Sequence, residues 1–323
     1  MSINTSKIID GVLECSVIGG FSRIGYEVRS RTANWTPLNS YDLSGKTVVV
    51  TGPTSGLGRS VAFHLRKLNA HLILVARNQN KLDALISELQ GVTGTATVNG
   101  VIADMGDIES VKTASQQISQ LCSELYALIH NAGSLFSERQ ENSSGIEVTV
   151  ASHVVGPFVM TSQLIPLLRS GQGRVVTVSS GGMYAARLPH LQQGESLELP
   201  KKNYSGSRQY AVAKRAQVTL NEMWAKKEPA VAFHAMHPGW ADTPGVQEAM
   251  PKFRSITKNI LRTQEQGADT IVWLVAEPDV SASNGSFWCD RSPRSIHRLP
   301  TTKRSDTESA RTALWAWCES HLQ

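Results

Sequence analysis

Between positions 47 and 236 the chain alternates short, continuously apolar runs with longer segments whose apolar residues recur every three or four positions. The runs 47–50, 72–75, 100–104, 127–130, 174–179 and 231–236 predict β-strands, the third of them ending in the acid Asp104. The segments 59–68, 79–90, 107–123, 145–169 and the stretch from Tyr210 to about 226 predict helices. Continuous apolar strands alternating with helices signal a parallel sheet covered on both faces, so the fold class is α/β, a doubly wound parallel sheet of about seven strands. Ahead of it lies an arm, 1–42, in which Ile8, Ile9, Val12, Leu13, Val17, Phe21, Ile24 and Val28 fall at helical spacing while Gly11, Gly19, Gly20 and Gly25 weaken any helix. The arm is expected to pack on its own domain or on a second copy, with a membrane-surface contact as the less favoured alternative. The sheet domain occupies 43–290. A polar tail, 291–323, carries Pro293 and Pro300 and is expected to be loose until a helix near 308–322.

Composition narrows the class without changing it. The chain has 323 residues, 41% hydrophobic and 18% charged, which suits one large core, and no linker divides its middle. A net charge of +5 spread over scattered basic residues excludes a nucleic-acid surface, though it favours an anionic cofactor. Cys15, Cys122, Cys289 and Cys318 lack metal-ligand or CxxC spacing and read as reduced thiols, so no metal is expected and the setting is cytoplasmic, with peripheral membrane association as the alternative. With no apolar run of about 20 residues and no basic start before an apolar core, neither a transmembrane helix nor a secretory signal is expected.

The first strand runs into Thr51-Gly52-Pro53-Thr54-Ser55-Gly56-Leu57-Gly58, which opens a helix. Gly52 permits a tight turn, Gly56 lets the backbone approach a pyrophosphate, and Gly58 allows the helix to pack closely on the sheet; Thr54, Ser55 and Leu57 complete the cofactor-facing loop. Unpaired N–H groups and the dipole at that helix N-terminus favour a diphosphate. Arg77, at the end of the second strand, suits the 2′-phosphate of NADP(H), where an acid would select NAD(H). Asp104 is placed to accept from the adenine amine, with a helix N-cap as its competing role and Asp107 as another cap candidate. Far downstream, Tyr210 and Lys214 stand four positions apart, hence on one helix face, where an ammonium near a phenol favours phenolate.

Taken together, these residues resemble the short-chain dehydrogenase/reductase family over positions 46 to about 285. Thr51 to Gly58 looks like the family's cofactor loop, and His130-Asn131-Ala132-Gly133 like its Asn-Asn-Ala-Gly motif. Val178-Ser179-Ser180 with Tyr210 and Lys214 looks like its Ser–Tyr–Lys site, and His237-Pro238-Gly239-Trp240-Ala241-Asp242-Thr243 like the segment closing on the nicotinamide. The resemblance implies a Rossmann-type fold and an NADP(H)-dependent oxidoreductase interconverting a carbonyl and an alcohol on a small or lipophilic substrate. It implies that Tyr210 is the general acid/base, that Lys214 lowers its pKa and holds the nicotinamide ribose, and that Ser180, rather than Ser179, binds the carbonyl. It also assigns Asn131, Ala132, Gly133, Pro238, Gly239 and Thr243, with Tyr210 and Lys214, to the cofactor. A dimer or tetramer is common in the family. Two positions depart from its pattern. His130 replaces the first Asn of its motif, and His153 stands where the family places the Asn of its proton relay, a place from which an imidazole can hold a water and exchange protons near pH 7. The long stretch between Ser180 and Tyr210 carries Met183, Tyr184, Leu188, Pro189, Leu197 and Leu199, which would make an apolar lip, and positions 244–261 would form a substrate lid. The alternative is a regulatory or scaffold protein of this fold that binds cofactor with little turnover.

Overall fold

The computed structural model describes residues 5–192 and 194–322. Eight strands form one sheet: β1 Thr47–Thr51, β2 His71–Ala76, β3 Val98–Ile102, β4 Ala127–His130, β5 Arg174–Val178, β6 Ala232–Met236, β7 Phe287–Cys289 and β8 Ser292–Arg294, in the order β3-β2-β1-β4-β5-β6-β7-β8. The first seven pair in parallel, while β8 turns back antiparallel on β7, one strand beyond the expected count. The order reverses between β1 and β4, leaving a crevice above their carboxyl ends, where a doubly wound sheet takes its ligand.

Alternation along β1 explains the two-layer cover. Val49 points into a core shared with Leu128, Val175 and the buried helix face of Val154, Phe158 and Leu164. Val48 and Val50 point the other way, onto Val61, Ala62 and Leu65 and onto Ile271 and Val275. The segment Val148–Ser170 is long and apolar enough to cross a membrane, yet most of it is buried against the sheet. Its first turns include a π-helical stretch, Ala151–Val155, that carries His153. Such a bulge shifts the helix register and commonly marks a functional site.

Arm and tail are more ordered than their patterns suggest. The arm forms helices Thr5–Glu14, Val17–Phe21 and Arg23–Thr32 despite its glycines. A Cβ on Gly25 would lie 1.7 Å from the Gly19 carbonyl oxygen, so the glycine permits a helix crossing that any side chain would block. The tail forms the expected final helix, Glu308–Glu319, but its first part, expected to be loose, supplies β8 and the helix Pro300–Ser305; Arg294 pairs with Asp10, and Arg311 with Asp306 and Glu222.

Candidate active site

The glycine loop is built to leave backbone exposed to a ligand. Gly52 and Gly56 have φ of 65° and 55°, the left-handed region that glycine enters without strain. A Cβ on Gly58 would lie 2.2 Å from the Gly52 carbonyl oxygen and 2.4 Å from Asn131 Nδ2, so only glycine lets the helix Gly56–Lys67 start so close to the sheet. Ser55 precedes this helix without a side-chain capping bond, so its side chain does not compete with an anion for the N-terminal N–H groups. Asn131 acts as a brace: Nδ2 donates to the carbonyls of Thr51 and Gly52. Thr51 Oγ1 accepts from the backbone N–H groups of Asn131 and Ala132. Asn131 and Ala132 thus shape the loop through hydrogen bonds that sequence alone did not reveal.

Arg77 directly follows β2, exposed, and makes no hydrogen bond or ion pair within the described chain. Asp104 lies two residues past the end of β3 rather than within the strand, and its Oδ1 accepts from the Gly106 N–H at 2.8 Å. Asp107, not Asp104, caps the helix Ile108–Leu121. Thr243 caps the short helix Pro244–Ala249 and sets its side chain against Gly56, with Cβ 3.4 Å from where a glycine Cβ would stand. The segment after β6 therefore reaches the glycine loop from the opposite side of the crevice.

At the end of β5, the two serines divide their work. The Ser179 hydroxyl donates to the Lys214 carbonyl at 3.0 Å and is buried, while Ser180 turns toward Tyr210 and also accepts from the Gly182 N–H. Tyr210 and Lys214 lie one turn apart on the helix Gly206–Lys227. The Lys214 ammonium donates to the Val178 carbonyl at 2.8 Å and stands 5.3 Å from the Tyr210 ring centroid. Burial pushes Lys214 down to about 7. Burial raises the Tyr210 phenol above 10, and the contact with Ser180 pulls it only partly back. Burial, rather than the Lys214 charge invoked from the sequence, is the dominant influence on the phenol. The ammonium faces a carbonyl and the ring, and the phenol keeps its proton at neutral pH.

His153 is brought to the same point. Its ring stands perpendicular to Tyr210, centroids 5.3 Å apart, and Nε2 lies 2.9 Å from the Ser134 carbonyl oxygen. A carbonyl can only accept, so Nε2 carries the proton and Nδ1 is a lone pair, buried without a partner among the described residues. Burial first, then the Lys214 charge, hold His153 well below its ordinary pKa, against the contact with Ser134. Proton exchange near pH 7, expected from the sequence, is thereby lost; a neutral acceptor remains. A Cβ on Gly133 would fall 1.9 Å from the His153 ring, which explains the glycine there. Gln217 Nε2 donates to the His153 carbonyl at 2.7 Å, a partner that no sequence signal marked. His130 faces away, to Thr161 Oγ1 at 2.8 Å, and is a core residue.

The expected apolar lip is largely spent on packing, since Met183, Tyr184, Leu188 and Leu197 are buried. The segment 244–261 does expose apolar side chains, with Met250 41% and Ile256 85% accessible.

Burial of uncharged imidazoles has a measurable consequence. Burial above all lowers His130, His153, His234 and His237, three of them to about 3. An unfolded histidine binds its proton near ~6.5, so between there and pH 3 the unfolded chain holds more protons than the folded one. Their stability contribution is complete above about pH 6.5 and is lost as pH falls toward 3. Thermal unfolding followed by circular dichroism should show a midpoint that drops steadily from about pH 6.5 downward. A midpoint constant to about pH 4.5 would contradict the burial of these rings.

Residues 46–190 match the family model for short chain dehydrogenase. The chain is 34% identical over 290 residues to human dehydrogenase/reductase SDR family member 12, covering 89% of each chain. It is 26% identical over 275 residues to mouse retinol dehydrogenase 11, covering 82% of this chain and 84% of that one. Among solved structures, a short chain dehydrogenase from Escherichia coli CFT073 complexed with NADPH superposes with a TM-score of 0.63 at 21% identity, over 80% of this chain and all of that one. A nucleotide cradle at the sheet's switch point, a Ser–Tyr–Lys cluster at the end of β5, and this extent of likeness make the chain a member of the short-chain dehydrogenase/reductase family of oxidoreductases, with its NAD(P)-binding Rossmann fold.

Proposed function

We propose that the protein is an NADP(H)-dependent oxidoreductase that interconverts a carbonyl and a secondary or primary alcohol on a small or lipophilic substrate. The observation that carries this reading is the meeting of Ser180, Tyr210 and Lys214 beside a glycine loop that opens a helix with no side-chain cap. The residues suit a dinucleotide: a positive-φ cradle at Gly52 and Gly56, an uncapped helix start, and an unpartnered guanidinium at Arg77. When bound, NADPH would supply the hydride. Thr54, Ser55, Gly56, Leu57 and Gly58 would hold the diphosphate, Arg77 the 2′-phosphate and Asp104 the adenine, while Pro238, Gly239 and Thr243 would cover the nicotinamide end.

In the reductive direction Tyr210 keeps its proton by burial and gives it to the carbonyl oxygen, which the Ser180 hydroxyl orients. Lys214, poised near neutrality, carries a proton that can pass to the phenolate left on Tyr210, and it would hold the nicotinamide ribose. The buried His153 Nδ1 lone pair, unpaired among the described residues, supports a role in which it holds a water that returns a proton toward Lys214. A lipophilic substrate is favoured by the exposed Met250 and Ile256 on the lid, and by the names of two relatives, retinol dehydrogenase 11 and polyprenol dehydrogenase. Four free thiols, two of them buried, suit a cytoplasmic setting.

The cofactor assignment has a direct test by fluorescence titration. NADPH should bind more tightly than NADH by about 10–100-fold, the worth of one charge-assisted fork, and Arg77→Glu should remove or invert that preference. Equal binding of the two cofactors by the unmodified protein would refute the role given to Arg77. Turnover itself is tested by following nicotinamide absorbance against a panel of aldehydes, ketones and alcohols.

A further inference from the structure

The middle of the arm packs against the site. Phe21 is buried, and a Cβ on Gly181, the residue after Ser180, would lie 2.8 Å from its ring. The same ring meets His237 edge-on at 4.5 Å and Trp240 at 6.0 Å, both in the segment that follows β6. The Trp240 N–H donates to the Phe21 carbonyl at 2.8 Å. Gly239, at φ 72°, has no room for a Cβ, which would stand 2.6 Å from that carbonyl oxygen and 2.3 Å from Arg262 Nε. One aromatic side chain thus touches both loops that flank the substrate position.

Its seat is fixed electrostatically. Arg262 is buried; Nε donates to the Ser22 carbonyl, Nη2 to the Gly20 carbonyl and Nη1 to the Pro238 carbonyl, so one guanidinium ties the arm to the loop. Both its terminal nitrogens pair with Asp290, which also pairs with Arg29 of the arm. Fully buried charges of this kind hold one arrangement because each alternative would strand a charge.

We propose that the arm is part of the active site and that Phe21 is its positioning residue, wedging the Ser180–Gly182 turn against the Pro238–Trp240 loop and so fixing the wall of the substrate cleft. The inference rests on the reading of Ser180 and of that loop given under Proposed function. It differs from an arm that merely covers the sheet, because Phe21 contacts the residue beside the candidate carbonyl-binding hydroxyl and the loop assigned to the nicotinamide end.

Phe21→Ala and Phe21→Leu test it, with two readouts. With a turned-over carbonyl, Phe21→Ala should lower kcat/KM about ten-fold or more while NADPH affinity stays within about two-fold, and Phe21→Leu, which keeps an apolar wedge, should recover most of the loss. By hydrogen exchange, Phe21→Ala should speed exchange in residues 180–185 and 238–243 and leave β1 and β4 at their original rates. Unchanged kinetic constants in Phe21→Ala overturn the proposal, as do unchanged exchange rates in both loops. If the unmodified protein binds NADPH but turns over nothing, the reading of the site fails separately, and the exchange rates still decide whether Phe21 couples the loops.

Discussion

Tyr210→Phe is expected to lower turnover by about 10²–10⁴-fold while leaving NADPH affinity essentially unchanged. The substitution removes one oxygen from a ring that stays packed between His153 and Lys214. Nothing else in the site takes over proton donation. Ser180 has an alcohol of high pKa, His153 is held neutral with its one N–H on the Ser134 carbonyl, and Lys214 donates to Val178. Ser180→Ala should cost less, because it orients the carbonyl rather than supplying the proton. Steady-state kinetics with fluorescence-measured cofactor affinity separates these effects, and a Tyr210→Phe enzyme of near-normal rate would remove Tyr210 from the acid role.

The largest expected loss of stability lies away from this chemistry, at Asp290. Burial works to raise its carboxyl, and the Arg262 and Arg29 guanidinia more than reverse that, holding it ionised. Asp290→Ala would leave Arg262 with backbone carbonyls and the Tyr26 ring but no counter-charge, whereas Arg29 keeps Asp10 and Glu14. Removing one partner of a buried pair costs about 3–5 kcal/mol. Asp290 and Arg291 also form the two-residue turn between β7 and β8, both at positive φ, 54° and 53°, so alanine adds backbone strain there. Asp290→Asn tolerates that φ and isolates the charge term. Chemical denaturation should therefore rank the unmodified protein above Asn and Asn above Ala; a loss below about 1 kcal/mol in Asp290→Ala would show that the cluster is solvated.

What the sequence disclosed follows from how local each feature is. Five of the six strands it marked are largely apolar, buried runs, whereas β3, Val98–Ile102, with Asn99 and Gly100, is shifted two residues from the marked run; the glycine loop is a contiguous motif whose geometry follows from backbone sterics at Gly52, Gly56 and Gly58. The short β7 and β8 carry three residues each, too few for any period to register. The arm's glycines argued against helices because propensity counts each residue alone, whereas Gly25 serves a crossing with Gly19 visible only in three dimensions. Met183, Tyr184, Leu188 and Leu197 looked like a substrate lip because apolar residues in an insertion have no local mark of burial; the arm and tail cover them. The pairing of Gly133 with His153, the brace made by Asn131 and the contact of Phe21 with Gly181 join residues far apart in the chain, and no spacing encodes them.

Transfer of labelled hydride tests the central claim most directly. NADPH carrying deuterium at the transferable position, incubated with the protein and an apolar ketone or aldehyde, should yield an alcohol with deuterium on the former carbonyl carbon, and Tyr210→Phe should suppress that product. NADPH that binds tightly but keeps its deuterium across the carbonyl panel would contradict the account.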